Sequence, residues 1–105
     1  MTEKLIRDGI PKLAANHGQA LAVREADPAE LPVLLRMKLA EETREVIDAD
    51  KAGLLEELAD VVEVVHALAA LHGHSLADLE RTRADKAAAR GGFQDGLVLE
   101  IGEAV

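Results

Sequence analysis

The chain has 105 residues, no cysteine, a formal net charge of −8, 49% hydrophobic residues and 1% aromatic residues. These numbers favour one small domain spanning 1–105 with an aliphatic core, and they exclude disulfides and thiolate catalysis. They also argue against the class of nucleic-acid binders that stack successive bases on aromatic platforms. With no apolar run near the ~20 residues of a membrane span and no apolar leader, the sequence predicts a cytoplasmic protein.

The first half of the chain predicts a short helix, a strand and a long helix, in that order. Asp8 can cap a short helix that ends near Asn16. Residues 20–25 alternate between apolar and polar side chains, which is typical of a strand. Pro32 is placed to begin a long helix that reaches about Asp50.

The second half predicts two more helices and a second strand. After a break at 51–53, a second long helix covers 54–71. Ser75 begins a third helix that stops at the glycines 91–92, because a serine followed three residues later by an acid is an N-cap pattern. Residues 97–101 are apolar and favour a strand.

The expected fold class is therefore mainly α. It is a helical bundle with two long antiparallel helices, a third helix, and a small β pairing of residues 20–25 with 97–101, since a lone strand cannot satisfy its backbone. The second long helix is apolar around most of its circumference, so a second copy is needed to cover it and the protein should be a homo-oligomer. Its apolar residues are Leu54, Leu55, Leu58, Val61, Val62, Val64, Val65, Leu68 and Leu71.

Negative charge is concentrated in one segment. Residues 41–63 hold nine acids and two bases, a charge of −7. Such a segment repels nucleic-acid polymers and attracts cations. The acids of this segment are Glu41, Glu42, Glu45, Asp48, Asp50, Glu56, Glu57, Asp60 and Glu63.

Helical spacing divides these acids into two groups. Glu42 and Glu45 are three residues apart beside the buried seam of the first long helix, with Glu41 at the outer edge. Glu57 and Asp60 are three apart in a stripe of the second long helix that is otherwise apolar. A short connection makes the helices antiparallel neighbours, so the two pairs should converge, whereas the other acids should face water.

Several carboxylates at one spot require cations. Ligands that are all oxygen favour hard ions, so we expect Mg2+, with Mn2+ possible, and a phosphate-bearing substrate such as a nucleotide. The alternative is a solvated acidic face that basic side chains neutralise. Two basic groups could serve either role, and Lys38 lies between the acids. The groups are Arg83, Lys86 and Arg90 on the third helix, and Lys4, Arg7 and Lys12 near the start.

Four stretches of the chain resemble a known family. Lys38-Leu-Ala-Glu-Glu-Thr-Arg-Glu45 and Glu57-Leu-Ala-Asp60 are similar to the paired acidic signature of the MazG-like all-α nucleoside triphosphate pyrophosphohydrolases. Lys4-Leu-Ile-Arg-Asp-Gly-Ile-Pro11 and Lys86-Ala-Ala-Ala-Arg-Gly-Gly-Phe93 resemble the ends of its small single-domain, phosphoribosyl-ATP pyrophosphohydrolase-like branch. Together these stretches extend over most of the chain.

The resemblance implies Mg2+-dependent cleavage between the α- and β-phosphates, giving a nucleoside monophosphate and pyrophosphate, with non-standard nucleotides as possible substrates. It also implies homodimers or homotetramers. Glu41 and Glu42 are the implied catalytic residues, with Glu41 acting as a ligand or as the base that orients water. The implied metal ligands are Glu42, Glu45, Glu57 and Asp60, and the implied substrate-binding residues are Lys38, Lys86, Arg90, Arg7 and Phe93.

Three alternatives remain open at this stage. Phe93 is the only aromatic side chain that could stack on a base, but a sole aromatic residue is more often a core anchor. The substrate could be phosphoribosyl-ATP, as in histidine biosynthesis. The chain could also be a non-catalytic helical module that dimerises and binds a regulator.

Overall fold

The computed structural model describes residues 3–100 and 102, and these residues form four helices. The helices are α1 (Ile10–Asn16), α2 (Leu31–Asp48), α3 (Leu54–Leu71) and α4 (Leu76–Arg90). The expectation of a mainly α fold is confirmed. The predicted short helix is α1, the two predicted long helices are α2 and α3, and the helix predicted after them is α4. Among the described residues, no helix is both long enough and apolar enough to span a membrane.

Local capping explains the start of α4 and the end of α3. The Ser75 hydroxyl accepts a hydrogen bond from the Asp78 amide at 3.0 Å and the Asp78 carboxylate accepts one from the Ser75 amide at 2.9 Å, so a capping box begins α4 as predicted. α3 ends in a Schellman turn, in which Gly73 takes a φ of 83° that favours glycine. The expected cap of α1 is wrong, because Gly9 and not Asp8 occupies the cap position.

The two long helices form the centre of the molecule. Leu35 of α2 and Val64 of α3 are each only 7% exposed, and they mark the seam along which these helices pack. The turn between the helices is fixed by the Asp50 carboxylate, which accepts a hydrogen bond from the Gly53 amide at 2.9 Å. The helices therefore run antiparallel, and the end of α2 lies beside the start of α3.

The predicted β pairing is not observed. Residues 20–25 and 97–100 form no strand, and Ile101 lies outside the described residues. Arg24 instead pairs with Glu3 at 3.0 Å and with Glu30 at 2.9 Å, which ties residues 20–25 to the start of α2. Two short strands with no further sheet or covering helix are marginal in water, so side-chain ion pairs decide the course of this segment.

α4 diverges from the helical pair. Of the described helices, only α2 with α3 and α3 with α4 pack against each other. Residues from the first two turns of α4, such as Leu79 and Thr82, line the cleft against the end of α3. The radius of gyration is 18.0 Å, whereas a compact chain of this length has about 13 Å. The isolated chain is thus extended, with a thin core.

Candidate functional site

Three carboxylates converge where α2 ends and α3 begins. Glu42, Glu57 and Asp60 each offer an oxygen, and these oxygens lie within 4.8 Å of one another. Glu42 comes two turns after the seam residue Leu35 of α2, and the other two acids occupy adjacent turns at the start of α3. All three side chains are half-buried. The expected convergence of acids from both helices is thus present for three of the four predicted ligands.

Glu45 and Glu41 lie outside this group of three. Glu45 is exposed, because its position on α2 is turned further from the seam than that of Glu42. The negative charge of Glu45 still helps to raise the pKa of the Glu57 carboxyl. Glu41 is held by two lysines, accepting hydrogen bonds from Lys4 at 3.2 Å and from Lys38 at 2.9 Å.

Glu57 is the member of the cluster with no cation beside it. None of the ion pairs among the described residues includes Glu57. Partial desolvation, followed by the charges of Asp60, Glu45 and Glu42, raises the pKa of its carboxyl above the ordinary value. The site therefore has an uncompensated negative charge directed at its centre.

Lys38 links the cluster to Glu41. Its ammonium lies 2.9 Å from Glu41 and 3.3 Å from Glu42, and its side chain is only 16% exposed. Burial opposes the charged form of Lys38, but hydrogen bonds to the two glutamates outweigh that effect and raise its pKa. The same hydrogen bond, supported by Lys4, lowers the pKa of Glu41. Both groups are therefore charged at neutral pH.

Arg7 occupies a cation position at the cluster. Its guanidinium pairs with the Asp60 carboxylate at 2.5 Å. The N-terminal segment, defined here as residues 3–9, thus reaches the acids of both long helices, because Lys4 pairs with Glu41 on α2. The sequence identified Arg7 as a basic residue but did not show that it would form an ion pair with Asp60.

A groove of about 740 Å3 runs from the cluster along α2 and α3. Lys38, Glu42, Asp60 and Arg7 lie at its polar end. The rest of its lining is mostly aliphatic. It comes from the N-terminal segment (Leu5 and Ile6), α1 (Ile10 and Leu13), α2 (Leu31 and Leu35) and α3 (Val64 and Leu71). Sequence reasoning missed the first two pairs, although the basic-apolar-apolar-basic order of residues 4–7 is a signal for a segment that both packs and pairs.

The remaining acids of the segment behave as solvated residues, as predicted. Asp48 is exposed and pairs with Arg44 at 3.1 Å, and exposed Asp50 caps the turn. Glu56 and Glu63 are also exposed, although Glu63 lies at the edge of the groove. The charge-rich segment therefore contains both ordinary surface and a clustered site.

Three predicted substrate-binding residues do not reach the cluster of the same chain. Lys86, Arg90 and Phe93 are absent from the lining of the groove, and within residues 3–100 neither base forms an ion pair. Phe93 is 99% exposed, so the alternative that it anchors the core is wrong. The predicted surface stripe on α4 is present in part, since Arg83 pairs with Glu80 at 2.6 Å.

The donor set fits a hard divalent cation. Three half-buried carboxylates with converging oxygens, one of them unpaired, provide negative charge and oxygen ligands without sulfur or histidine. Comparisons with protein-family models, with curated proteins and with solved structures found no match to this chain. The case for function therefore depends on the residues themselves.

Proposed function

We propose that this chain is a Mg2+-dependent nucleoside triphosphate pyrophosphohydrolase of the MazG-like type, with Mn2+ as a possible substitute. The single observation that supports the proposal most is the convergence of Glu42, Glu57 and Asp60 beside an apolar groove. A triphosphate needs divalent cations at one end and a nucleoside needs an apolar surface at the other. The groove offers both within one continuous lining.

The four motif stretches support the family assignment independently of the geometry. The two acidic motifs that resemble the MazG-like signature are the ones that contain the converging residues. A cluster built from unrelated surface acids would have no reason to coincide with that signature.

Each residue of the site has a role in this proposal. Glu42, Glu57 and Asp60 would hold the metal. Glu45, which lies outside this group but whose charge acts on Glu57, would be the fourth ligand that the resemblance implies. A bound Mg2+ supplies charge neutralisation for the phosphates and a water of lowered pKa. Glu41 has a lowered pKa and is a poor proton acceptor, so its role is to orient the attacking water together with Lys38.

Basic residues would hold the phosphates. Lys38 is already charged and fixed beside Glu42, and its ammonium can reach phosphate oxygens at the polar end of the groove. Arg7 is paired with Asp60 and becomes available for a phosphate when a metal ion takes over that carboxylate. The homodimer or homotetramer implied by the resemblance is part of the same proposal, since aliphatic side chains of α3 remain exposed.

Pyrophosphate release over a panel of standard and non-standard nucleoside triphosphates with Mg2+ tests the proposal. We expect release from at least one substrate and a loss of at least about 100-fold in Glu42→Gln, because even outer-shell partners of metal ligands cost up to that factor. Asp48→Asn, on the same helix but paired with Arg44 at the surface, is the matched control and should retain activity. Release that persists in Glu42→Gln would contradict the assignment.

Two other functions remain as alternatives. Including phosphoribosyl-ATP in the panel separates the histidine-pathway reaction from general nucleotide hydrolysis, because the former enzyme should prefer that one substrate. A non-catalytic dimerisation module is favoured by the exposed aliphatic side chains of α3, such as Leu55 at 78% exposure. It predicts no hydrolysis of any substrate and no loss of association when Glu57 and Asp60 are neutralised.

A further inference from the structure

The two long helices each line the groove with one continuous stripe of side chains. On α3 the stripe runs from Asp60 through Val64 to Leu71, at the spacings of a single helix face. On α2 it runs from Glu42 back to Leu31. Because the helices are antiparallel, both stripes change from charged to aliphatic in the same direction. The charged and the apolar ends of the groove are therefore about 16 Å apart, measured along α3 from residue 60 to residue 71.

Glu63 is the polar residue of this lining that lies beyond the acidic cluster. It follows Asp60 by three residues, so it lies on the same side of α3 about 4.5 Å further along the helix axis. The other groove-lining residues of α2 and α3 on the apolar side of the cluster are leucine, valine and alanine. Ala67 and Ala70 come next along the same edge, and their short side chains leave the Glu63 carboxylate uncovered.

The Glu63 carboxylate is available as a hydrogen-bond acceptor. Its side chain is exposed, and none of the ion pairs among the described residues includes it. Of the two cations that line the groove, Arg7 pairs with Asp60. The other, Lys38, pairs with Glu42. A carboxylate without a cation repels phosphate, so Glu63 is suited to a neutral group that donates hydrogen bonds, such as a sugar hydroxyl.

We propose that Glu63 binds the sugar of the substrate, with its carboxylate accepting hydrogen bonds from the 2′- and 3′-hydroxyls of a ribonucleotide. The inference rests on the proposed function, which puts the phosphates at the acidic cluster. The sugar follows the α-phosphate directly in a nucleotide, and Glu63 follows Asp60 by one helical turn toward the apolar end. Acidic side chains bind ribose hydroxyls in dinucleotide-binding folds, and the 2′-hydroxyl is the donor that a deoxynucleotide lacks.

The same placement leaves the base without a side chain that recognises its edge. The aliphatic end of the groove contains Leu31, Ala70 and Leu71, which offer apolar contact but no donor or acceptor. A hydrophobic pocket discriminates weakly between ligands of similar shape, whereas a site that binds a hydroxyl rejects the analogue without it more strongly. The substrate class is therefore ribonucleoside triphosphates with more than one base, selected by their sugar.

Pyrophosphate release from ATP against dATP, and from GTP against dGTP, tests the sugar preference in the presence of Mg2+. We expect the wild-type kcat/KM to favour the ribonucleotide about tenfold in each pair, because the deoxynucleotide loses a hydrogen bond to a charged group. Glu63→Ala should bring the two values of each pair to within about twofold of each other. The loss of a negative charge near the phosphates changes both sugars alike, so the ratio isolates the hydrogen bond.

Glu56→Ala is the matched control. Glu56 is an exposed glutamate of the same helix that does not line the groove, and this variant should keep the wild-type ratio. A wild type that hydrolyses ribo- and deoxynucleotides equally well would overturn the role of Glu63 and leave the proposed function standing. A Glu63→Ala variant that keeps the wild-type ratio would do the same.

Binding of nucleotide analogues judges the role of Glu63 without turnover. In α,β-methylene triphosphates the bond that the proposed reaction breaks is replaced by a stable one, and titration calorimetry with Mg2+ compares the ribo and deoxy forms. We expect the wild type to bind the ribo form about tenfold more tightly and Glu63→Ala to bind both equally. If the wild type shows this preference but releases no pyrophosphate, the proposed function fails and the role of Glu63 stands. Equal binding of the two forms, or binding of neither, would overturn that role.

Discussion

At the scale of single residues, Glu57 differs from the other acids of its segment. Glu42 has Lys38 and Asp60 has Arg7, but Glu57 has neighbours of like charge, and its pKa is raised. A carboxylate in this position destabilises the metal-free fold. That cost is expected of a binding site, since a carboxylate that has no cation beside it in the fold gains the most when a metal ion binds.

We expect Glu57→Gln to raise the melting temperature of the metal-free protein at pH 7. A raised folded pKa means that the repulsion is fully present above that pKa and disappears as the pH falls below the unfolded value of about 4.3. The gain in melting temperature should therefore shrink between pH 7 and pH 4. Thermal unfolding across this pH range measures the effect.

The matched control for that experiment is Glu63→Gln, an exposed glutamate of the same helix with no ion pair among the described residues. It should change the melting temperature little at any pH. Magnesium should stabilise the wild type and the control, but should stabilise Glu57→Gln much less. A lower melting temperature of Glu57→Gln at pH 7 would show that the Glu57 carboxylate stabilises the metal-free fold, which would contradict an uncompensated charge at this position.

The helical elements could be predicted from the sequence because their signals are local. The capping box at Ser75 and the glycine turn after α3 each depend on neighbours within six residues. The predicted strands at 20–25 and 97–101 are not observed among the described residues. For the first of them, alternation does not reveal that Arg24 binds acids on two other segments. Local patterns determine where helices begin and end, whereas extended segments depend on distant partners.

The site could be predicted in part for the same reason. Spacing of three residues on two antiparallel helices is enough to bring Glu42, Glu57 and Asp60 together. The same spacing turns Glu45 about 60° further from the seam than Glu42, which leaves Glu45 exposed and outside the group of three. The contact between Arg7 and Asp60 joins residues 53 positions apart, which no periodicity encodes. The N-terminal segment is therefore the part of the site that only the structure reveals.

The N-terminal segment should compete with the metal. We expect Arg7→Ala to bind Mg2+ several-fold more tightly than the wild type, because it removes the cation that pairs with Asp60, and to bind nucleotide more weakly. Titration calorimetry with Mg2+ alone measures the first effect. Lys12→Ala, which removes an exposed charge with no ion pair among residues 3–100, should leave Mg2+ binding unchanged. Unchanged or weaker Mg2+ binding by Arg7→Ala would contradict the competition.

At the scale of the whole molecule, the apolar circumference of α3 predicted from the sequence leaves aliphatic side chains exposed on one arc of this helix, namely those of Leu54, Leu55, Leu58 and Val62. The sequence indicated that two other helices could not surround α3, and the structure places α4 only at its far end. What could not be predicted is the direction of α4, since its sequence is mostly charged residues and alanine and its packing is weakly specified. The extended shape of the chain and the separation of the basic residues of α4 from the acidic cluster are both consequences of that divergence.

The central claim is that the acidic cluster serves hydrolysis of a nucleoside triphosphate at the bond between the α- and β-phosphates. Identification of the products formed with Mg2+ from the best substrate of the panel tests this claim most directly. The account predicts nucleoside monophosphate and pyrophosphate in equal amounts, with neither formed by Glu42→Gln. Nucleoside diphosphate and inorganic phosphate as the products, or no product from any triphosphate, would contradict it.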